Sequence, residues 1–235
     1  NTGWLPPEML DEHGFVKVTP ELRVCGHERI FAIGDVAATD PLRRVLMAER
    51  ISLGHQAMQT HDAALPAARE AVRIADGAGN PTARALARCA LARALSVSEP
   101  DEAMLIICDA RELAASVENT WLIAMAEMES ATIHAARGDL VAAARGYTAT
   151  LEMFVIAGPS KVIPLQWDNL GCITRFLLQV GANGDAAALH RAAVAAGRRP
   201  PLDAAQVAEL DGVDSVVLTG TEIVDYTRTA LRRFM

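Results

Sequence analysis

From Pro41 onward the chain repeats one pattern: amphipathic stretches rich in alanine, cut at intervals by glycine and proline. That punctuation narrows the available folds more than any other feature. Leu65, Ala68, Val72 and Ala75 step by three and four residues, and so do Ala103, Ile106, Ala110, Leu113 and Val117. Leu140, Ala144, Tyr147, Leu151 and Phe154 continue the pattern, followed by Leu170, Ile173, Leu177 and Val180. At about 3.6 residues per turn, each set is one apolar stripe on one helix. The breaks are Gly77-Ala78-Gly79-Asn80-Pro81, Ser98-Glu99-Pro100, Gly138-Asp139, Gly158-Pro159 and Gly181-Ala182-Asn183-Gly184. Glycine ends a helix because it tolerates positive φ, and proline is pre-set for the first turn of the next.

Composition says how such helices pack. Hydrophobic residues make up 51% of the chain but aromatics only 4%. The apolar content is therefore Ala, Leu, Val and Ile, which suits closely spaced helices. Ala143, Ala144 and Gly146 are small enough to let one helix approach another. The helices also pair: Pro100-Asp101-Glu102-Ala103, Gly138-Asp139-Leu140 and Gly184-Asp185-Ala186 each open the second helix of a hairpin. Their spacing is about 40 residues, longer than the ~34 of the commonest tetratricopeptide unit. Stacked hairpins bury a continuous core between neighbours, so three or more sustain one another. The expected fold class is mainly α: a tetratricopeptide-like helical hairpin stack, an α-solenoid, with a short β-containing N-terminal segment.

Three regions follow: a β-containing segment at 1–43, a helical-repeat domain at 44–197 and C-terminal capping helices at 198–235. In the last region Asp203 is placed to N-cap a helix running to Leu210. Thr219 and Glu222 have capping-box spacing before a final helix from Ile223 to Arg233.

Residues 1–43 have a different grammar. Gly14-Phe15-Val16-Lys17-Val18 alternates as a short strand, Thr19-Pro20-Glu21 turns, and Leu22-Arg23-Val24 is a second strand. Ile30-Phe31-Ala32-Ile33 reads as a third, ending in the turn Gly34-Asp35 and the small residues Val36-Ala37. With Asn1-Thr2 ahead and Ala38-Thr39-Asp40-Pro41 behind, this segment resembles the C-terminal part of the FAD domain of type II NADH dehydrogenases and apoptosis-inducing-factor-like flavoproteins. The resemblance implies that Gly34 and Asp35 approach FAD, with Asp35 accepting a hydrogen bond from a ribityl hydroxyl. The chain has no G-x-G-x-x-G fingerprint to seat a pyrophosphate on a helix N-terminus. One carboxylate offers on the order of 1.5–3 kcal/mol as a charged hydrogen-bond partner, and a flavin needs a walled crevice as well. The expectation for the chain as given is therefore no bound cofactor, with FAD as the alternative.

The helical part resembles the repeat region of LuxR-type and AfsR-like signal-transduction regulators. The residues that carry this likeness are Ala68-Arg69-Glu70-Ala71-Val72-Arg73-Ile74-Ala75, the helix–Gly-Asp–helix pattern at Gly138-Asp139 and Gly184-Asp185, and Ala187 to Ala193. The helix within Thr219 to Leu231 also fits. The resemblance implies an interaction or signal-relay role beside an ATPase and a DNA-binding unit. Neither motif is in this chain, and no G-x-x-x-x-G-K-[ST] occurs.

Other chemistry is weakly signalled. The formal net charge is −7, against the basic face that nucleic acid requires. Arg43-Arg44, Arg198-Arg199 and Arg232-Arg233 are isolated pairs, read as solvated helix-end charges. Cys25, Cys89, Cys108 and Cys172 form no C-x-x-C pair and are expected as buried reduced thiols. His55 and His61 lack same-face spacing, no H-E-x-x-H occurs, and no metal site is expected. His134 is expected to be a surface or partly packed histidine. No serine lies in G-x-S-x-G. Trp121, Met125, Met128, Met153 and Phe154 admit two readings, an adaptable groove or core knobs, and the core is preferred. Trp167 admits two readings, a place on the concave surface or packing into the preceding hairpin, and the packing is preferred. No run of about 18 apolar residues suggests a membrane span.

The reading from sequence is thus a non-catalytic, cytoplasmic interaction or signal-relay module. Its partner is expected to be a protein or peptide on the concave helical surface, with a second copy of the chain as the other option. The alternative is an FAD-dependent NAD(P)H oxidoreductase, as a fragment or a fusion. A joining of two family pieces near residue 42, or a decayed reading frame, is the third. The first residue is Asn1 rather than Met, which fits a fragment or processed product.

Overall fold

The structure, a computed structural model, describes residues 5–10, 16–19, 24–27, 30, 61–155, 164–198, 202–220 and 222–235. The Gly34-Asp35 turn, most of the strand expected over Ile30 to Ile33, and the break at Gly158-Pro159 lie outside these residues.

The described residues are mainly helical. In order they form α1 (His61–Ala78), α2 (Pro81–Leu95), α3 (Pro100–Ser116), α4 (Thr120–Ala136), α5 (Leu140–Val155), α6 (Pro164–Gln179), α7 (Asn183–Ala195), α8 (Ala204–Leu210) and α9 (Glu222–Arg232). Ahead of them, Pro7–Met9 makes one 3-10 turn. Two isolated antiparallel bridges, Leu10 with Val16 and Val18 with Val24, are the β structure among the described residues.

The helix starts follow from local chemistry. Asn80 accepts the Ala83 N–H at 3.1 Å ahead of Pro81. Asn119 accepts the Leu122 N–H and Asp139 the Ala142 N–H, each at 3.1 Å. Asp203 and Gln206 form the reciprocal capping box of α8. Each cap satisfies a backbone donor that the helix itself leaves without a partner. Gly79 and Gly138 sit at φ of 68° and 78°, so a side chain there would be strained. Between α3 and α4 the same reversal is made by Glu118, a non-glycine at φ 52°.

The pairs α2–α3 and α4–α5 pack most strongly, followed by α1–α2 and α3–α4 and then by α6–α7. In α2–α3, α4–α5 and α6–α7 the second helix opens at Pro100, at Gly138-Asp139 and beside Gly184. In addition α2 touches α4, and α4 touches α6. Helix α1 packs on α2, α8 on α7, and α9 lies against both α5 and α7.

One apolar cluster runs from Ala85 to Leu231, with Tyr147 and Phe176 its largest fully buried side chains. A second, all-alanine cluster of Ala71, Ala75, Ala83 and Ala87 joins α1 to α2. Gly146 permits the closest approach: a Cβ there would lie 2.9 Å from the Ala131 Cβ. The small-residue expectation is met at that crossing of α4 and α5. On α3 the buried stripe is Ala103, Ile107, Ala110 and Ala114. It is turned one residue from the expected Ile106 and Leu113, and Val117 is 40% exposed. Ile106 and Leu113 flank the seam, partly buried against the same core.

Candidate functional site

The clearest concavity is a cleft of about 660 Å³ at the C-terminal ends of α2, α4 and α6. Arg93 of α2, Ser96 and Val97 beyond it, Thr132 and Ala135 of α4, and Arg175, Phe176 and Gln179 of α6 form its walls. Gln206 and Glu209 of α8 stand at another side, and Tyr147 of α5 reaches in from behind.

Each wall is held in place. Gln179 Nε2 donates to the Ala135 carbonyl at 2.9 Å, tying α6 to α4. Arg93 Nε donates to Glu129 Oε1 at 2.7 Å, with a second contact from Nη2 to the same oxygen, tying α2 to α4. The Glu129 side chain is only 1% exposed. A buried carboxylate of this kind tolerates its burial only through such a partner. Ser96 Oγ donates to the Arg93 carbonyl at 2.8 Å.

The floor is aromatic. The Tyr147 and Phe176 rings lie 5.7 Å apart, and Phe176 meets Phe234 edge-on at 5.5 Å. Thr132 Oγ1 donates to the Met128 carbonyl at 3.0 Å and pairs with the Tyr147 hydroxyl at 3.1 Å. Burial pushes the Tyr147 phenol far above its ordinary range, with Cys172 acting in the same direction. It therefore stays neutral at any physiological pH.

Arg175 is different. Its one hydrogen bond among the described residues runs from Nη2 to Cys172 Sγ at 3.6 Å, a weak acceptor. Glu129 attracts it electrostatically. No carboxylate among the described residues reaches salt-bridge distance of it. Glu209 accepts from Asn183 Nδ2 at 3.1 Å.

The residues singled out from sequence fall elsewhere. Met125 and Met128 are buried core side chains, whereas Trp121 is 47% and Met153 39% exposed. None of these four lines the cleft, and the Phe154 side chain lies outside the described residues. His134 is partly packed, with Nδ1 3.5 Å from Asp139 Oδ2. Trp167 is half-buried against the main core. Cys89 and Cys172 are buried as expected, but Cys25 and Cys108 are exposed. Among the described residues, no cluster of His, Cys, Asp and Glu has the makings of a metal site, and no helix is long and apolar enough to cross a membrane. Gly34 and Asp35, the FAD contacts implied by resemblance, lie outside the described residues.

Arg93, Glu129 and Arg175 were not singled out from sequence. Their signal is a charge set among apolar or small neighbours: Arg93 between Ala92 and Ala94, Glu129 beside Met128, Arg175 beside Phe176. Compared with known proteins, the chain matches no family model, no curated protein and no solved structure.

Proposed function

We propose that the chain is a non-catalytic helical-repeat module that binds a protein or peptide segment on the face formed by α2, α4 and α6. In this reading the hairpins α2–α3, α4–α5 and α6–α7 are successive tetratricopeptide-like units, and their first helices make the concave wall of a short α-solenoid. The observation that carries it is the serial contact of α2 with α4 and α4 with α6, with the cleft opening across all three. Stacked hairpins present extended concave surfaces of this kind. The likeness to LuxR-type and AfsR-like regulators supports a cytoplasmic signal-relay setting, in which the module reads a segment of its own assembly or of a partner. The FAD reading rests on the resemblance of residues 1–43, with Gly34 and Asp35 as its implied contacts, and nothing in the helices adds to it.

Selection of a random peptide library on the full chain tests the proposal. A convergent family of peptides is expected, and Ala136→Trp, which puts an indole on the cleft wall at the end of α4, should abolish their binding. No enrichment, or peptides indifferent to Ala136→Trp, would count against the interaction role.

A further inference from the structure

We infer that the cleft is a carboxylate-binding site, with Arg175 as the group that holds the acid. The inference deepens the interaction reading and rests on it only for the face on which the ligand sits. Three observations converge. First, Arg93 and Glu129 pair within the wall, Tyr147 is held as a neutral phenol by burial, and Glu209 stands exposed at the cleft edge bonded to Asn183, so among the described residues Arg175 is the charge in the cleft wall without an ion-pair partner. Second, a guanidinium carries five N–H donors in a planar fork. Among the described residues, Arg175 spends one of them on the Cys172 sulfur. The helix C-termini around it favour a cation there, but among the described residues no backbone carbonyl takes one of its donors. Third, the cleft volume of about 660 Å³ falls in the range of sites that enclose a small ligand.

The walls say what the acid is attached to. Phe176, Leu178, Ala135 and Val97 are apolar, and Ser96 and Gln179 are already bonded to backbone carbonyls. That lining suits a short apolar group ending in a carboxylate. An organic acid and the C-terminus of a peptide share that chemistry. A bidentate pair with Arg175 would be charge-assisted and planar, which a lysine cannot reproduce.

The test is calorimetric titration of the full chain with three probes: 4-phenylbutyrate, an acetylated tetrapeptide ending in phenylalanine with a free carboxylate, and the same peptide as its amide. At least one acid is expected to bind and the amide is not. Arg175→Gln should weaken acid binding about 10- to 100-fold, the worth of one charge-assisted interaction, and Arg175→Lys should recover part of the loss. Thermal melts of both variants check folding. A shift of the wild-type Arg175 Nε–Hε resonance on adding acid reports the contact without any substitution. Binding of the peptide acid alone assigns the site to a chain terminus, and binding of phenylbutyrate alone assigns it to an organic acid. The latter would leave the acid site standing while removing the peptide-binding role. Equal binding of acid and amide, indifference to Arg175→Gln, or no binding of either acid overturns the inference. Equal binding of acid and amide would still leave the interaction face intact.

Discussion

At the scale of single residues, two buried polar groups carry opposite lessons. Glu129 has its partner, and the pair joins α2 to α4. Arg93→Ala would strand a carboxylate that is 1% exposed, so a loss of about 3 kcal/mol or more is expected. The double replacement Arg93→Met with Glu129→Met should restore most of it, because apolar side chains of similar volume need no partner. Denaturant titration of both variants reads this directly, and an unchanged midpoint for Arg93→Ala would mean that water reaches Glu129. His190, by contrast, has its Nδ1 buried with no hydrogen-bond partner. Burial pulls its pKa down and Arg191 adds to that, while Asp211 opposes. The unfolded chain then takes the proton more readily than the folded one, so stability falls as pH drops below the ordinary histidine value of about 6.5. The melting temperature of His190→Gln should be less sensitive than wild type to acidification through that window. A wild-type melting temperature that rises on acidification there would contradict the assignment. Neither group stood out in the sequence, because burial depends on neighbours that lie far along the chain.

Among the elements, the helices themselves were largely legible and their exact faces less so. Asn80-Pro81, Asp139 and Asp203 carry their own instructions, since a capping side chain acts on a backbone N–H three residues ahead. The reversal after α3 escaped notice because Glu118 occupies a positive φ where glycine is the usual marker; only the Asn119 cap announced it. On α3, periodicity alone does not separate Ile106 from Ile107, because adjacent apolar residues both fit a three-four spacing. The Gly146–Ala131 crossing was foreseeable from small-residue content, and it yields a sharp test. Gly146→Ala gains about 1 kcal/mol of helix propensity, yet its new methyl would sit 2.9 Å from a rigid Cβ. Overpacking of that kind costs about 1–3 kcal/mol, so a net loss is expected. In a double-mutant cycle, Ala131→Gly should couple favourably with Gly146→Ala. A more stable Gly146→Ala would show that α4 and α5 have room to part.

For the whole molecule, the three hairpins act together only if their first helices form one surface. The C-terminal elements reinforce the array. Tyr226 donates to Asp185 at 2.7 Å, Arg233 pairs with the same carboxylate, and Arg228 meets Glu152 at 2.7 Å. Burial, helped by Asp185, pushes the Tyr226 phenol up to about 12. Phe234 closes the aromatic floor against Phe176. The helix starts at Pro100, at Gly138-Asp139 and beside Gly184 were readable from the recurrence of Gly-Asp and Pro-Asp. The cleft was not, because Arg93, Thr132 and Arg175 come from three helices and meet only once these are stacked. The most direct test of the account is hydrogen exchange on the full chain with and without the acid-terminated tetrapeptide. Slowed exchange in the last turns of α2, α4 and α6 together is the predicted result. Protection confined to any other surface, or to one of the three helices alone, would contradict it.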